Sequence, residues 1–98
     1  MTDEQRALYE SLLLLALDDE RLRGSWIAMD SDGRFYTFTT KPHISRNDQT
    51  VWIQNEDESE GDSEYYKKAS TKFNLFIVKC FGEMYGIIPW EETLVKIN

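Results

Sequence analysis

The sequence predicts an α+β domain: a small antiparallel sheet of three or four strands, packed with an N-terminal and a second amphipathic helix. Three features point there. Residues 26–42 hold two β-rich, aromatic runs either side of Asp32-Gly33 and close on Pro42. Glycine reaches positive φ without steric cost and aspartate tolerates it, so Asp-Gly between such runs signals a hairpin. Leucines recur at helical spacing before it, and a second helical pattern of apolar residues follows from Tyr66 to Met84. The 98 residues suit a single domain, 1–98.

The first helix opens on Thr2 with Gln5 three positions on, a capping box. Asp3 and Glu4 stand at the positive end of its dipole. It is expected to run to about Arg23, with Arg21 and Arg23 in the last turn and Gly24 as the stop. Leu8, Leu12, Leu15 and Leu22 form one stripe, which Leu13 and Leu17 widen, while Leu14 falls further round. The apolar arc is wider than one sheet contact needs. Either the helix sinks deep into its own domain, or it shares a face with a second copy or a partner.

In the hairpin, a two-residue Asp32-Gly33 turn pairs Met29 with Tyr36 and Ile27 with Phe38. A three-residue Ser31-Asp32-Gly33 loop pairs Ala28 with Tyr36 and Trp26 with Phe38. The one-residue slip exchanges the strand faces, and both registers stay open. Lys41-Pro42 ends the second strand because proline supplies no ladder donor. Residues 43–49 read as polar loop, and Thr50 to Gln54 as a third strand.

Residues 55–64 carry six acids and no apolar side chain, which predicts a mobile acidic loop within the domain. Asp62 or Ser63 then caps the second helix, expected from about Glu64 to Tyr85. Tyr66, Ala69, Phe73, Phe76, Ile77, Cys80, Phe81 and Met84 form its apolar face. Lys67, Lys68, Lys72 and Lys79 lie mainly off it. A buried strand over 73–81 is the alternative. Gly86 stops the helix. Thr93 to Ile97 alternates like an edge strand, and Pro89-Trp90-Glu91-Glu92 equally starts a helical turn with proline first.

Composition narrows the chemistry. The net charge is −7, from 18 acidic and 11 basic residues, which disfavours non-specific attraction to nucleic acid or anionic membrane. Cys80 is the single cysteine and reads as a buried small hydrophobe, so no oxidising compartment is needed and the cytoplasm is expected. The apolar run Leu12–Leu17 is far shorter than the ~20 residues of a membrane span, and the acidic start differs from a signal peptide. Asp30-Ser31-Asp32-Gly33 resembles a calcium loop only in part: that alignment puts Ala28 and Thr39 where essential carboxylates belong. One histidine and one cysteine cannot build the usual zinc site, and His43 reads as a solvated surface residue. No phosphate loop or nucleophile elbow occurs. The expectation is a protein without enzymatic activity, metal or cofactor.

The motif Trp26-x-Ala28-Met29-Asp30-x-Asp32-Gly33-x-Phe35-Tyr36-x-Phe38-x-x-Lys41-Pro42, then Trp52, then Pro89-Trp90-Glu91-Glu92-Thr93-Leu94, resembles a class of small phage and prophage proteins. Its marks are the aromatic Asp-x-Asp-Gly hairpin with Lys-Pro, a later tryptophan strand and a closing Trp-x-x-Ser/Thr-Leu tag. The resemblance covers roughly a third of the chain. The leucine-rich first helix and the 55–85 segment depart from the class. What the resemblance implies is a phage-type accessory protein that binds and inhibits or modulates a host protein such as a nuclease, a polymerase or a defence complex.

Two sets of residues are candidates for that binding. Leu13, Leu14 and Leu17 would anchor a partner. Asp18, Asp19, Glu20, Glu56, Asp57, Glu58, Glu60, Asp62 and Glu64 would steer a basic one, speeding association more than tightening the complex. The alternatives are a nucleic-acid mimic built on those acids, or a nucleic-acid binder stacking bases on Trp26, Phe35, Trp52 and Trp90. A structural homodimer through the first helix is the third reading.

Overall fold

The Thr2 capping box forms as the sequence predicts: Thr2 Oγ1 accepts from the Gln5 N–H at 3.2 Å, and Gln5 Oε1 accepts from the Thr2 N–H at 2.8 Å. It starts helix α1, Asp3–Ala16. The computed structural model describes residues 1–17, 20–54, 66–68 and 71–98. Strands β1 (Trp26–Met29), β2 (Phe35–Phe38), β3 (His43–Ile44), β4 (Trp52–Ile53) and β5 (Tyr66–Lys68) follow, then α2 (Thr71–Tyr85) and β6 (Val95–Lys96). Short 3₁₀ turns occupy Glu20–Leu22 and Trp90–Glu92. The architecture is α+β, with a four-stranded antiparallel sheet in the order β5-β2-β1-β6 and a separate β3–β4 ladder.

The hairpin takes the three-residue register. Trp26 pairs with Phe38 and Ala28 with Tyr36, which overturns the two-residue alternative. The Asp30 N–H donates to the Arg34 carbonyl and the Gly33 N–H to the Asp30 carbonyl, both at 3.0 Å. Gly33 sits at φ +83°, a conformation open mainly to glycine, and its extra residue sets the slip.

That register sends Ile27, Met29 and Phe35 to the helices. They meet Tyr9, Leu12 and Leu13 of α1, Phe73, Ile77 and Phe81 of α2, and Ile88 in one core. Phe35 stands at its centre, stacked on Tyr9 with ring centres 6.4 Å apart and edge-on to Phe73 at 5.3 Å. On the opposite face of the sheet Ala28 and Phe38 are buried too.

Several expectations are corrected. α1 ends at Ala16 rather than near Arg23, because Leu17 takes an extended conformation and the chain tightens into a 3₁₀ turn before β1. Leu15 leaves the predicted stripe for solvent, and Tyr9 takes a core place instead. His43 lies half-buried in β3, not in a polar loop, and the third predicted strand is β4, which pairs with β3 and not with the main sheet. α2 begins at Thr71, since Tyr66–Lys68 pair with β2 as the sheet's edge. Residues 73–81 are helical, which excludes the strand alternative, but Phe76 and Met84 are exposed. Cys80 is half-buried against the core. Gly86 ends α2 at φ +85° with its N–H on the Gly82 carbonyl. At the C-terminal end both readings hold, a 3₁₀ turn after Pro89 and then the edge strand β6. The acidic loop and the cap at Asp62 or Ser63 lie outside the described residues.

Candidate functional site

Three of the predicted binding residues, Leu13, Leu14 and Leu17, line one groove, of about 300 Å³, between α1 and β6. Its other wall is Leu94 to Asn98. Leu13 is only 2 % exposed and belongs to the core, so it forms the floor and is no protruding anchor. Leu14, 73 % exposed, is the rim, and Leu17 is half-buried between them. One helical turn has split adjacent leucines between interior and surface, as a 100° step requires.

A set of hydrogen bonds fixes the two walls of the groove to one another. Arg6 lies across them: its Nε meets Glu10 at 3.0 Å, one terminal nitrogen donates to the Leu94 carbonyl at 2.8 Å, and the other donates to the Glu92 carbonyl. Its guanidinium also covers the Tyr9 ring, 5.6 Å from the centroid. The Tyr9 hydroxyl donates to the Thr93 carbonyl at 2.6 Å. Burial pushes the Tyr9 phenol well above its ordinary range, against the opposing pull of the Arg6 charge and the Thr93 bond. Thr93 is fully buried, and its hydroxyl accepts from the Met29 N–H and donates to the Trp90 carbonyl. No sequence signal flagged Arg6 or Tyr9, because the carbonyls they bind lie more than eighty positions away.

At the far end of β1, Asp30 joins the two hairpins. Its carboxylate accepts from the Trp52 N–H at 2.9 Å, while the Ser31 N–H donates to the Thr50 carbonyl and Trp52 Nε1 to the Met29 carbonyl. Burial raises the Asp30 carboxyl to about 6. The Trp52 bond opposes the rise, and Asp32 and Asp48 add to it. Beside this junction a second, apolar groove runs between the hairpin loop and α2, lined by Met29, Val78, Ile88 and Trp90. Ile87, 96 % exposed, also lines it.

Of the other predicted residues, the structure describes only Glu20, which does not line the groove. Glu20 is exposed in the first 3₁₀ turn. Asp18, Asp19, Glu56, Asp57, Glu58, Glu60, Asp62 and Glu64 lie outside the described residues. Among the described residues no group of three or more His, Cys, Asp or Glu is placed to hold a metal ion, and no helix is long and apolar enough to cross a membrane. Compared with family models, curated proteins and solved structures, the chain matches none of them.

Proposed function

We propose that this chain is a non-enzymatic, phage-type accessory protein that binds a host protein, a nuclease, a polymerase or a defence complex, and inhibits or modulates it in the host cytoplasm. The observation that carries the reading is the groove between α1 and β6, where Leu14 protrudes beside a floor of Leu13 and Leu17. Large apolar side chains held in solvent beside a concave surface mark a place where another protein gains by excluding water. The net charge of −7 keeps such a chain dispersed and favours a basic partner.

The test is an affinity pull-down of tagged protein from bacterial lysate at low and high salt, with Leu14→Glu alongside. One stoichiometric host protein, recovered by the wild type and lost by the variant, is the expected result. It is then purified and its binding measured by calorimetry. Equal recovery by both proteins removes the groove from the reading, and recovery by neither removes host binding.

A further inference from the structure

We infer that the groove between α1 and β6 receives an extended segment of the partner protein, which adds as a fifth strand to the outer edge of β6 and presents a carboxylate between two apolar side chains. This rests on the host-binding reading and names the form of the partner.

β6 ends the sheet, so among the described residues one side of its backbone has no neighbouring strand. Ile97 turns both polar groups to the chain entering β1: its N–H donates to the Ser25 carbonyl at 2.8 Å and its carbonyl accepts from the Gly24 N–H at 2.7 Å. Alternation in an antiparallel ladder therefore turns the N–H and carbonyl of Lys96 outward, to the open edge. The Leu94 carbonyl, the preceding outward group, is already held by Arg6. Lys96 is thus the position on which an incoming strand registers.

Side chains alternate as well. Val95 and Ile97 pack against the core, and Lys96 lies on the other face with Trp26, its ammonium 5.8 Å from the ring centre. Lys41 Nζ lies 5.6 Å from the same ring. Neither lysine has a carboxylate partner among the described residues. A residue pairing with Lys96 points to that face, where two ammonium groups favour Asp or Glu. Its two neighbours point to the α1 side, where Leu14 and Leu17 favour apolar side chains. A second copy of this chain fits poorly. Two-fold pairing of β6 with itself sets the two Lys96 ammonium groups against each other and brings together two chains of net charge −7.

The experiment is fluorescence anisotropy of the full chain with a labelled, amidated peptide Thr-Val-Glu-Val-Thr. Two further peptides have the central Glu replaced by Lys, or its backbone nitrogen methylated. Saturable binding is expected, at least about tenfold weaker for each modified peptide and for Leu14→Glu, whose fold is checked by circular dichroism. Lys96→Glu should restore binding of the Lys peptide. Strand addition is overturned if the parent peptide fails to saturate, or if the methylated peptide binds as well as its parent. A Lys peptide equal to its parent overturns the carboxylate. Host capture lost by Leu14→Glu while no peptide binds removes the strand and leaves host binding in place. Peptide binding with host capture unchanged in Leu14→Glu keeps the strand site and removes the groove from host binding.

Discussion

The Thr93 hydroxyl accepts a hydrogen bond from the Met29 N–H at 2.8 Å, joining the C-terminal segment to β1 where β6 no longer reaches. The same hydroxyl donates to the Trp90 carbonyl at 2.7 Å. A hydroxyl at this position serves two backbone groups at once. Thr93→Val keeps the shape and orphans the Met29 N–H, while the Trp90 carbonyl keeps the backbone N–H of residue 93, so it should cost about 2 kcal/mol in urea unfolding. Thr93→Ser loses only a buried methyl, about 1 kcal/mol. Equal losses for Val and Ser would mean that packing, not the hydroxyl, matters here.

Adjacent leucines should differ sharply. Leu13→Ala opens a cavity in the core and should destabilise by about 2–5 kcal/mol. Leu14→Ala, on the surface, should stay within about 0.5 kcal/mol. Thermal unfolding of the two variants checks the pair, and a large effect at Leu14 would place it inside.

How much of this was legible follows from where each signal resides. The capping box, the Asp-Gly hairpin and the Gly86 stop are local, set by backbone conformations that a few neighbouring residues determine. The run Leu12 to Leu17 has apolar residues on every side, so spacing alone does not choose its buried face. Tyr9 chooses it, through a hydroxyl whose acceptor on Thr93 is distant in sequence. β3 and β4 are two residues each, and the Asp30–Trp52 and Ser31–Thr50 bonds hold them to the first hairpin. No local pattern encodes such a contact. Leu13, Leu14 and Leu17 stand close together in the sequence, but the groove's other wall, residues 94–98, arrives only with the tertiary fold.

Stability should vary with pH through Asp30. Its carboxyl titrates near 6 in the folded chain against 3.8 ordinarily, raised first by burial and then by Asp32 and Asp48. The folded state therefore holds this proton more tightly than the unfolded one. The resulting stabilisation is fully present below about pH 4 and is lost as pH rises through 6. Asp30→Asn cannot ionise, and its amide oxygen still accepts from the Trp52 N–H. The variant should be about 2 kcal/mol more stable than wild type at pH 7, with a flatter profile between pH 4 and 6. Denaturant midpoints measured across that window decide it. Parallel profiles for the two proteins would show that Asp30 ionises without cost.

Tyr9 offers a test at the other end of the scale. Its phenol is fully buried and hydrogen-bonded to the Thr93 carbonyl, and burial raises its titration far above the ordinary value near 10. Alkaline titration of tyrosinate absorbance should therefore leave at least one of the five tyrosines protonated until the chain unfolds. Because the folded pKa is the higher one, stability is undiminished below pH 10 and falls above it, as the unfolded phenol ionises first. Tyr9→Phe removes both the titration and the hydrogen bond. It should cost about 1–2 kcal/mol at pH 7 and weaken the alkaline decline. If every tyrosine titrates near pH 10 while near-ultraviolet dichroism stays native, the Tyr9 ring is open to water, and α1 is not fastened to the C-terminal segment as described.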